Sequence, residues 1–222
     1  MRRSLLDVAS VRNRLERHLL CSVATEEKRL ALTFDDGPHP RHTPRLLDVL
    51  AAKGIPATFF LVGRRVAAFP GLAREIAARG HEIGNHGYAH VPLPFLPGPL
   101  LEREVERAGR VIEDATGVRP RFFRPPMGWF TARALGRVRR LGYEPVIGNV
   151  HPRDSSRPGT RWIVEHLSAG AGPGAILILH DGGWSLGVDR SQSIEAADRI
   201  IDVLRERGYR FETLSRLVEG GS

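Results

Sequence analysis

The 222 residues are 41% hydrophobic and 26% charged, which is typical of a globular domain with a large core. One cysteine, Cys21, excludes an intrachain disulfide, and no stretch reaches the ~18 apolar residues of a membrane span. The net charge of +8 indicates either an anionic partner or a genome that favours arginine codons. The basic residues are spread along the chain without interleaved aromatics, so nucleic acid is not expected as a partner.

Residues 1–28 predict an amphipathic helical segment ahead of a domain over 29–219. Leu5, Val8, Leu15 and Leu19 share one helical face, and arginines surround it. The face can pack on the domain exterior, which we favour, or lie on a membrane or an anionic wall polymer. The arginines interrupt any signal-peptide core, so the predicted location is cytoplasmic or peripheral to a membrane.

Short apolar runs then alternate with helical patterns to the end of the chain. The predicted strands are 29–34, 57–62, 82–84, 121–123, 144–148, 175–179 and 209–212. The predicted helices are 43–54, 70–79, 100–116, 131–141, 160–168 and 191–207, with a last turn at 214–218. Thr43 is the predicted N-cap of the first helix, since Pro44 follows it. Strict alternation predicts a parallel sheet covered by helices, either open or closed into a barrel.

Unusual polar residues follow five of these strands, and their position favours the barrel. In β/α barrels the carboxyl ends of the strands form the functional site. Five connections that supply polar side chains to one face would be hard to obtain by accident. These residues are Asp35–Asp36, His86 and His90, Arg124, Asp154, and His180–Asp181.

Asp35 and Asp36 end a strand and enter a Gly-Pro turn. Neighbours in a strand point to opposite faces, but a turn can aim both carboxylates into one mouth. One carboxylate can then bind a metal while the other accepts a proton. The alternative is an ordinary turn in which the aspartates bond to nearby backbone.

His86 and His90 are spaced i, i+4, which places both imidazoles on one side of a helical turn. Two imidazoles with one carboxylate suit Zn²⁺ and leave a coordination position open for water, as catalytic zinc sites do. Each of these motifs, taken alone, could instead have only a structural role. Arg124 can hold a carboxylate through its fork of donors, and His180, after an apolar strand, is a natural general acid.

Together these motifs resemble those of the polysaccharide deacetylases, the NodB-homology group of carbohydrate esterase family four. The resemblance covers about Arg29 to Leu217, with the motifs in the family's order. They are TFDDG at 33–37, NHGYAH at 85–90, RPPMG at 124–128 and ILH at 178–180.

The resemblance implies a distorted (β/α)7 barrel and a role for each matching residue. Asp36, His86 and His90 would bind one divalent metal, usually zinc and sometimes cobalt or manganese. Asp35 would be the general base, oriented by Arg124, and His180 the general acid. The Met127 backbone N–H would sit in the oxyanion hole.

Two positions depart from the family's pattern. Gly87 stands where a Ser or Thr usually follows the first histidine, which removes a hydroxyl from the site. The fourth motif usually reads Asp-x-x-Asp-Trp, and its first Asp pairs with the acid. Here His151 holds that first position and the Trp is missing, so either Asp154 or Asp181 must support His180, or the support is absent.

The sequence therefore predicts a metal-dependent hydrolase that removes acetyl groups from N-acetylated sugars. Chitin fragments, peptidoglycan and xylan all fit as substrates. Two alternatives stay open: a metal-dependent hydrolase of cyclic amides or ureides in the same fold, and a basic, non-catalytic binder of polysaccharide or nucleic acid. The intact set of Asp35, Asp36, His86, His90 and His180 argues against the second alternative.

Overall fold

A computed structural model describes residues 19–221. Its parallel strands form one curled sheet in the order β5-β4-β3-β2-β1-β6, and β7 pairs with the start of β1. The strands are β1 Arg29–Gly37, β2 Thr58–Leu61, β3 Glu82–Asn85, β4 Phe122–Phe123, β5 Glu144–Pro145, β6 Ile176–His180 and β7 Arg210–Glu212.

The α-helices cover the outside of this sheet, except for the last of them, which lies at one end of it. They are α1 His42–Lys53, α2 Gly63–Ala68, α3 Pro70–Ala78, α4 Gly98–Thr116, α5 Ala132–Arg140, α6 Thr160–Gly170, α7 Ser191–Glu206 and α8 Leu214–Glu219. All six predicted helices and the last turn are present. Helix α2 was not predicted, because its six residues are too few to show an apolar stripe. Among the described residues, no helix is both long and apolar enough to cross a membrane.

The sheet closes into a distorted barrel, as predicted. The strand expected over 144–148 pairs as a ladder with β4 only at Glu144–Pro145. The chain then swings away from β4, and Val150 forms a single parallel bridge to Leu177 of β6. One bridge replaces a full ladder at this seam, which is why the barrel is irregular there.

Alternation along β1 separates the helix-facing core from the barrel interior. Leu30, Leu32 and Phe34 are buried in the large cluster under the outer helices, while Ala31 belongs to the interior cluster. Because side chains alternate along a strand, Thr33 and Asp35 share the inward parity of Ala31. The alternation of side chains along β1 therefore points Asp35 into the barrel.

Helix α8 fills one end of the barrel and leaves the other for a site. Leu214 and Leu217 pack in the interior cluster with Phe60 and Phe122. The Leu214 N–H donates to Thr58 Oγ1 at 2.9 Å, and Thr58 begins β2. The plugged end is therefore the amino end of the strands, and the polar residues lie at the carboxyl end.

Residues 1–18, which carry most of the predicted N-terminal helical stripe, lie outside the described residues. The stretch 19–28 is irregular rather than helical. Its backbone pairs with that of the barrel: Leu20 forms a bridge to Val146, and the Val23 N–H donates to Gly174 O at 2.9 Å. This stretch covers the barrel wall beside β5.

Candidate active site

A β-bulge at Asp36 aims two adjacent carboxylates into the mouth of the barrel. Asp35 pairs with Phe60 of β2, but the next pair is Gly37 with Leu61, so Asp36 is skipped. Asp36 has a left-handed φ of 72°, a conformation that Asp tolerates better than most residues. The bulge breaks the strand alternation, and both Asp35 and Asp36 line the same pocket.

His86 and His90 converge on Asp36 from a loop, so the predicted helical turn is wrong. Residues 86–90 after β3 are not helical, and Gly87 and His90 have φ values of 78° and 60°. Gly87 suits this path because glycine adopts positive φ without steric cost. Its N–H donates to Asn85 Oδ1 at 2.8 Å, which fixes the loop.

The three side chains have the arrangement of a metal-binding set. Asp36 Oδ1 lies 2.9 Å from His90 Nε2 and 3.5 Å from His86 Nε2. This oxygen is buried yet has no hydrogen bond of good geometry, so ligand lone pairs converge where a cation would satisfy them. His86 Nδ1 lies 2.7 Å from the Arg124 carbonyl oxygen. That bond leaves Nε2 able to face a cation.

The charge state of Asp36 also suits a cation. Burial alone would raise the pKa of this carboxyl, but contacts with the His86 and His90 imidazoles outweigh it and hold the pKa well below its usual range. Asp36 is therefore a carboxylate near neutral pH. The donor set of one carboxylate and two imidazoles fits a divalent transition metal such as zinc.

Arg124 holds Asp35 from inside the barrel. Its Nη1 lies 2.6 Å from Asp35 Oδ1 and donates to Thr33 Oγ1 at 2.8 Å. The guanidinium is buried and lies 3.9 Å from the centre of the Phe60 ring. Burial lowers the pKa of Arg124, and the Asp35 carboxylate opposes that shift. One side of Asp35 is thus fixed by a charged bond.

Asp154 supports His180, which resolves the alternatives left by the sequence. Asp154 Oδ1 lies 2.8 Å from His180 Nδ1, and Oδ2 accepts the His180 backbone N–H at 2.9 Å. Ser193 Oγ donates to the same Oδ2 at 2.6 Å. Burial would lower the pKa of His180, but Asp154 raises it to about 9. His151, which holds the expected position of that support, lies beside His180 with ring centroids 5.7 Å apart.

Asp181 faces away from His180 and packs behind the Asp36 bulge. Its backbone N–H donates to Asp35 O at 3.2 Å, and its carboxylate accepts a short bond from Thr43 Oγ1. Burial raises the pKa of Asp181 to about 7. Thr43 is therefore not the predicted N-cap: it lies inside α1, which starts at His42, and its hydroxyl is committed to Asp181 and the His39 N–H.

A cavity of about 830 Å³ at the carboxyl end of the barrel is lined by Asp35, Asp36, His86, His90, Arg124 and His180. Asp35 and His180 are register partners on adjacent strands, so their Cα atoms lie about 5 Å apart. Met127, with a left-handed φ of 58°, forms part of the rim. Two tryptophans that sequence reasoning missed, Trp129 and Trp184, also line the cavity and are 52% and 82% exposed. Their position in loops directly after strand-end motifs was the available signal.

The fold and the site agree with what comparison with known proteins finds. The family model of polysaccharide deacetylases matches residues 22–146, more than half of the chain. The chain belongs to the polysaccharide deacetylase family.

Relatives in this family are deacetylases of different glycans. The chain is 38% identical to a peptidoglycan-N-acetylglucosamine deacetylase of Bacillus cereus, over 88% of this chain and 91% of the relative. It is 38% identical to a chitooligosaccharide deacetylase of Rhizobium leguminosarum bv. trifolii, over 86% and 92%. A crystal structure of a peptidoglycan N-acetylglucosamine deacetylase bound to an N-oxidanyl-benzamide matches with a TM-score of 0.87 and 29% identity, covering 92% and 95%. This NodB-homology domain thus has the predicted fold.

Proposed function

We propose that this polysaccharide deacetylase domain hydrolyses the N-acetyl group of an N-acetylated sugar in a metal-dependent reaction that releases acetate. One observation carries the proposal. Within a single cavity, a metal-binding set (Asp36, His86 and His90) lies beside a carboxylate, Asp35, and a charged imidazole, His180. Amide hydrolysis needs these three kinds of group, because water must be activated and the amine must leave with a proton.

Asp36, His86 and His90 would hold the divalent ion. When bound there, such an ion polarises the acetamide carbonyl and makes the attacking water more acidic. The Arg124 guanidinium orients Asp35 through its 2.6 Å contact with Oδ1. Asp35 then accepts the proton of the water at its carboxylate. The bond from Arg124 holds this carboxylate in a fixed orientation for the transfer.

His180 supplies the second proton transfer. It carries a proton at neutral pH, since Asp154 raises its pKa to about 9. It donates that proton to the amine nitrogen as the C–N bond breaks. The backbone N–H of Met127 at the rim would donate to the carbonyl oxygen as negative charge develops there. Acetate and the free amino sugar are then released.

The substrate class is an N-acetylated glycan. Peptidoglycan and chitooligosaccharides are the substrates named for the relatives, and the exposed rings of Trp129 and Trp184 can stack on the apolar faces of sugar rings. The net charge of +8 would favour an anionic polymer such as peptidoglycan over neutral chitin.

Acetate release from a panel of N-acetylated glycans, before and after chelation, tests the proposal. We expect release from at least one member, loss with chelator, and recovery with Zn²⁺, Co²⁺ or Mn²⁺. Ring opening of a cyclic amide or ureide, without acetate release from any glycan, would favour the other hydrolase. Absence of release from the metal-loaded protein with every substrate would favour the non-catalytic binder.

A further inference from the structure

A second cluster of potential metal ligands lies at the side of the cavity that His151 and His180 line. His151, Asp154 and His180 each offer one ligand atom, and the three atoms lie within 4.8 Å of one another. His151 directly follows Val150, whose bridge to β6 closes the barrel, and the Ile178 N–H donates to Val150 O at 2.9 Å. The backbone that carries His151 is thus fixed beside His180.

We infer that His151, Asp154 and His180 form a second zinc site, whose occupation blocks His180 as the general acid. The zinc would take the place of the proton between His180 Nδ1 and Asp154 Oδ1, and that proton would pass to water. The ring would then be a neutral, zinc-bound imidazole, whose remaining Nε2–H is a far weaker acid than that of an imidazolium. His151 would complete the set as a third protein ligand, and water from the cavity would fill the remaining position. The blocking effect rests on the proposed function, whereas the binding of zinc does not.

The ligand geometry is within reach of small side-chain movements. Zinc bonds of about 2.0–2.2 Å place tetrahedral ligand atoms about 3.3 Å apart. The His180–Asp154 contact of 2.8 Å needs only slight widening. The distances from His151 to the other two ligand atoms are up to 4.8 Å. The exposed His151 ring can turn on its fixed backbone to shorten them. Asp154 Oδ2 keeps the bonds from Ser193 and the His180 N–H, so Oδ1 is the oxygen available to the ion.

The protonation states make this site weaker than the one at Asp36. His151 suits a metal, since desolvation by the protein around the cavity and the nearby His180 lower its pKa and favour the neutral imidazole. His180 opposes binding, because zinc must displace a proton held with a pKa of about 9. At pH 7 that competition reduces zinc affinity about 100-fold. The second site would therefore fill only when zinc is in excess.

Zinc stoichiometry tests the site without reference to catalysis. The intact chain is dialysed against increasing Zn²⁺, and metal per chain is measured by atomic emission. We expect a second bound ion in the wild type and its loss in His151→Ala. The control is His166→Ala, which removes another exposed histidine, one that stacks on Trp162 and does not line the cavity. That variant should keep both ions. A wild type that stops at one ion, or a His151→Ala chain that keeps two, would overturn the inference.

Inhibition gives the functional readout. Each variant is compared with its own acetate release at one equivalent of zinc. Excess zinc should inhibit the wild type and His166→Ala, and the inhibiting concentration should rise at least about tenfold in His151→Ala, as expected for loss of one ligand. Equal sensitivity of all three would refute the block of His180. If no chain releases acetate, the proposed function fails, and the stoichiometry still decides whether the second site exists.

Discussion

Replacement of Asp154 by Asn tests how the acid is tuned. The substitution removes the negative charge next to His180 and keeps the shape of the side chain. The Asn oxygen can still accept the bonds that Asp154 Oδ2 receives from the His180 N–H and Ser193. The Asn amide N–H2 then faces His180 Nδ1 and can donate only to a neutral ring. The loss should therefore act through the protonation state of His180 rather than through the fold.

The expected magnitude follows from the pKa of His180: burial lowers it, but Asp154, with smaller contributions from Asp36 and Asp35, raises it from 6.5 to about 9. This difference corresponds to about 3 kcal/mol of preference for the charged imidazole. Without the carboxylate, burial lowers the pKa toward or below its ordinary value, although Asp35 and Asp36 still raise it. At pH 7.5 the protonated fraction would fall from nearly all to about one in ten, so activity should fall about tenfold.

The assay is the pH profile of kcat/KM for acetate release. The wild type should keep its activity through neutral pH and lose it as His180 deprotonates near pH 9. In Asp154→Asn this alkaline limb should move to lower pH. Asp181→Asn is the matched control. It neutralises another buried carboxylate, which follows His180 in the sequence but bonds to Thr43 instead of the His180 ring. An unmoved limb in Asp154→Asn, or a larger movement in Asp181→Asn, would refute the assignment.

Three further outcomes are expected. Asp35→Asn should keep its metal content and lose activity by about 10²–10⁴-fold, measured by atomic emission and acetate release; near-normal turnover would refute Asp35 as the base. His90→Ala should lower metal per chain and activity together, and unchanged metal content would refute its role as a ligand. Gly182→Ala should lower stability by about 1–3 kcal/mol because its Cβ would lie 2.1 Å from the Asp36 carbonyl oxygen. Gly71→Ala, with open space around it, should be neutral or stabilising by up to about 1 kcal/mol in thermal unfolding.

The barrel was predictable because strands and helices alternate strictly and polar residues follow the strands. Helix α2 was not predicted because its six residues are too few to show a helical repeat of apolar side chains. The seam at Val150 could not be predicted either: one bridge to β6 closes the barrel there, and a single bridge leaves no pattern in sequence. Thr43 was misassigned because an N-cap signal cannot show that a hydroxyl is needed by Asp181, 138 residues away.

The site was predictable in its members and less so in its geometry. The spacing of His86 and His90 suggested a helical turn, whereas positive φ values at Gly87 and His90 bring the rings together in a loop. Gly87 therefore matters for the backbone of this loop, whereas the sequence indicated only the loss of a Ser or Thr hydroxyl. The support of His180 was ambiguous because Asp181 is nearer in sequence, and only the fold shows that Asp154 reaches Nδ1.

Metal-dependent acetate release is the direct test of the proposed deacetylase activity. The protein is stripped with chelator, reloaded with one equivalent of Zn²⁺, and assayed on peptidoglycan fragments and chitooligosaccharides, with Asp35→Asn loaded in the same way. We expect release by the reloaded wild type, and none above background by the stripped protein or the loaded variant. Equal release with and without metal, or by the loaded Asp35→Asn variant, would contradict it.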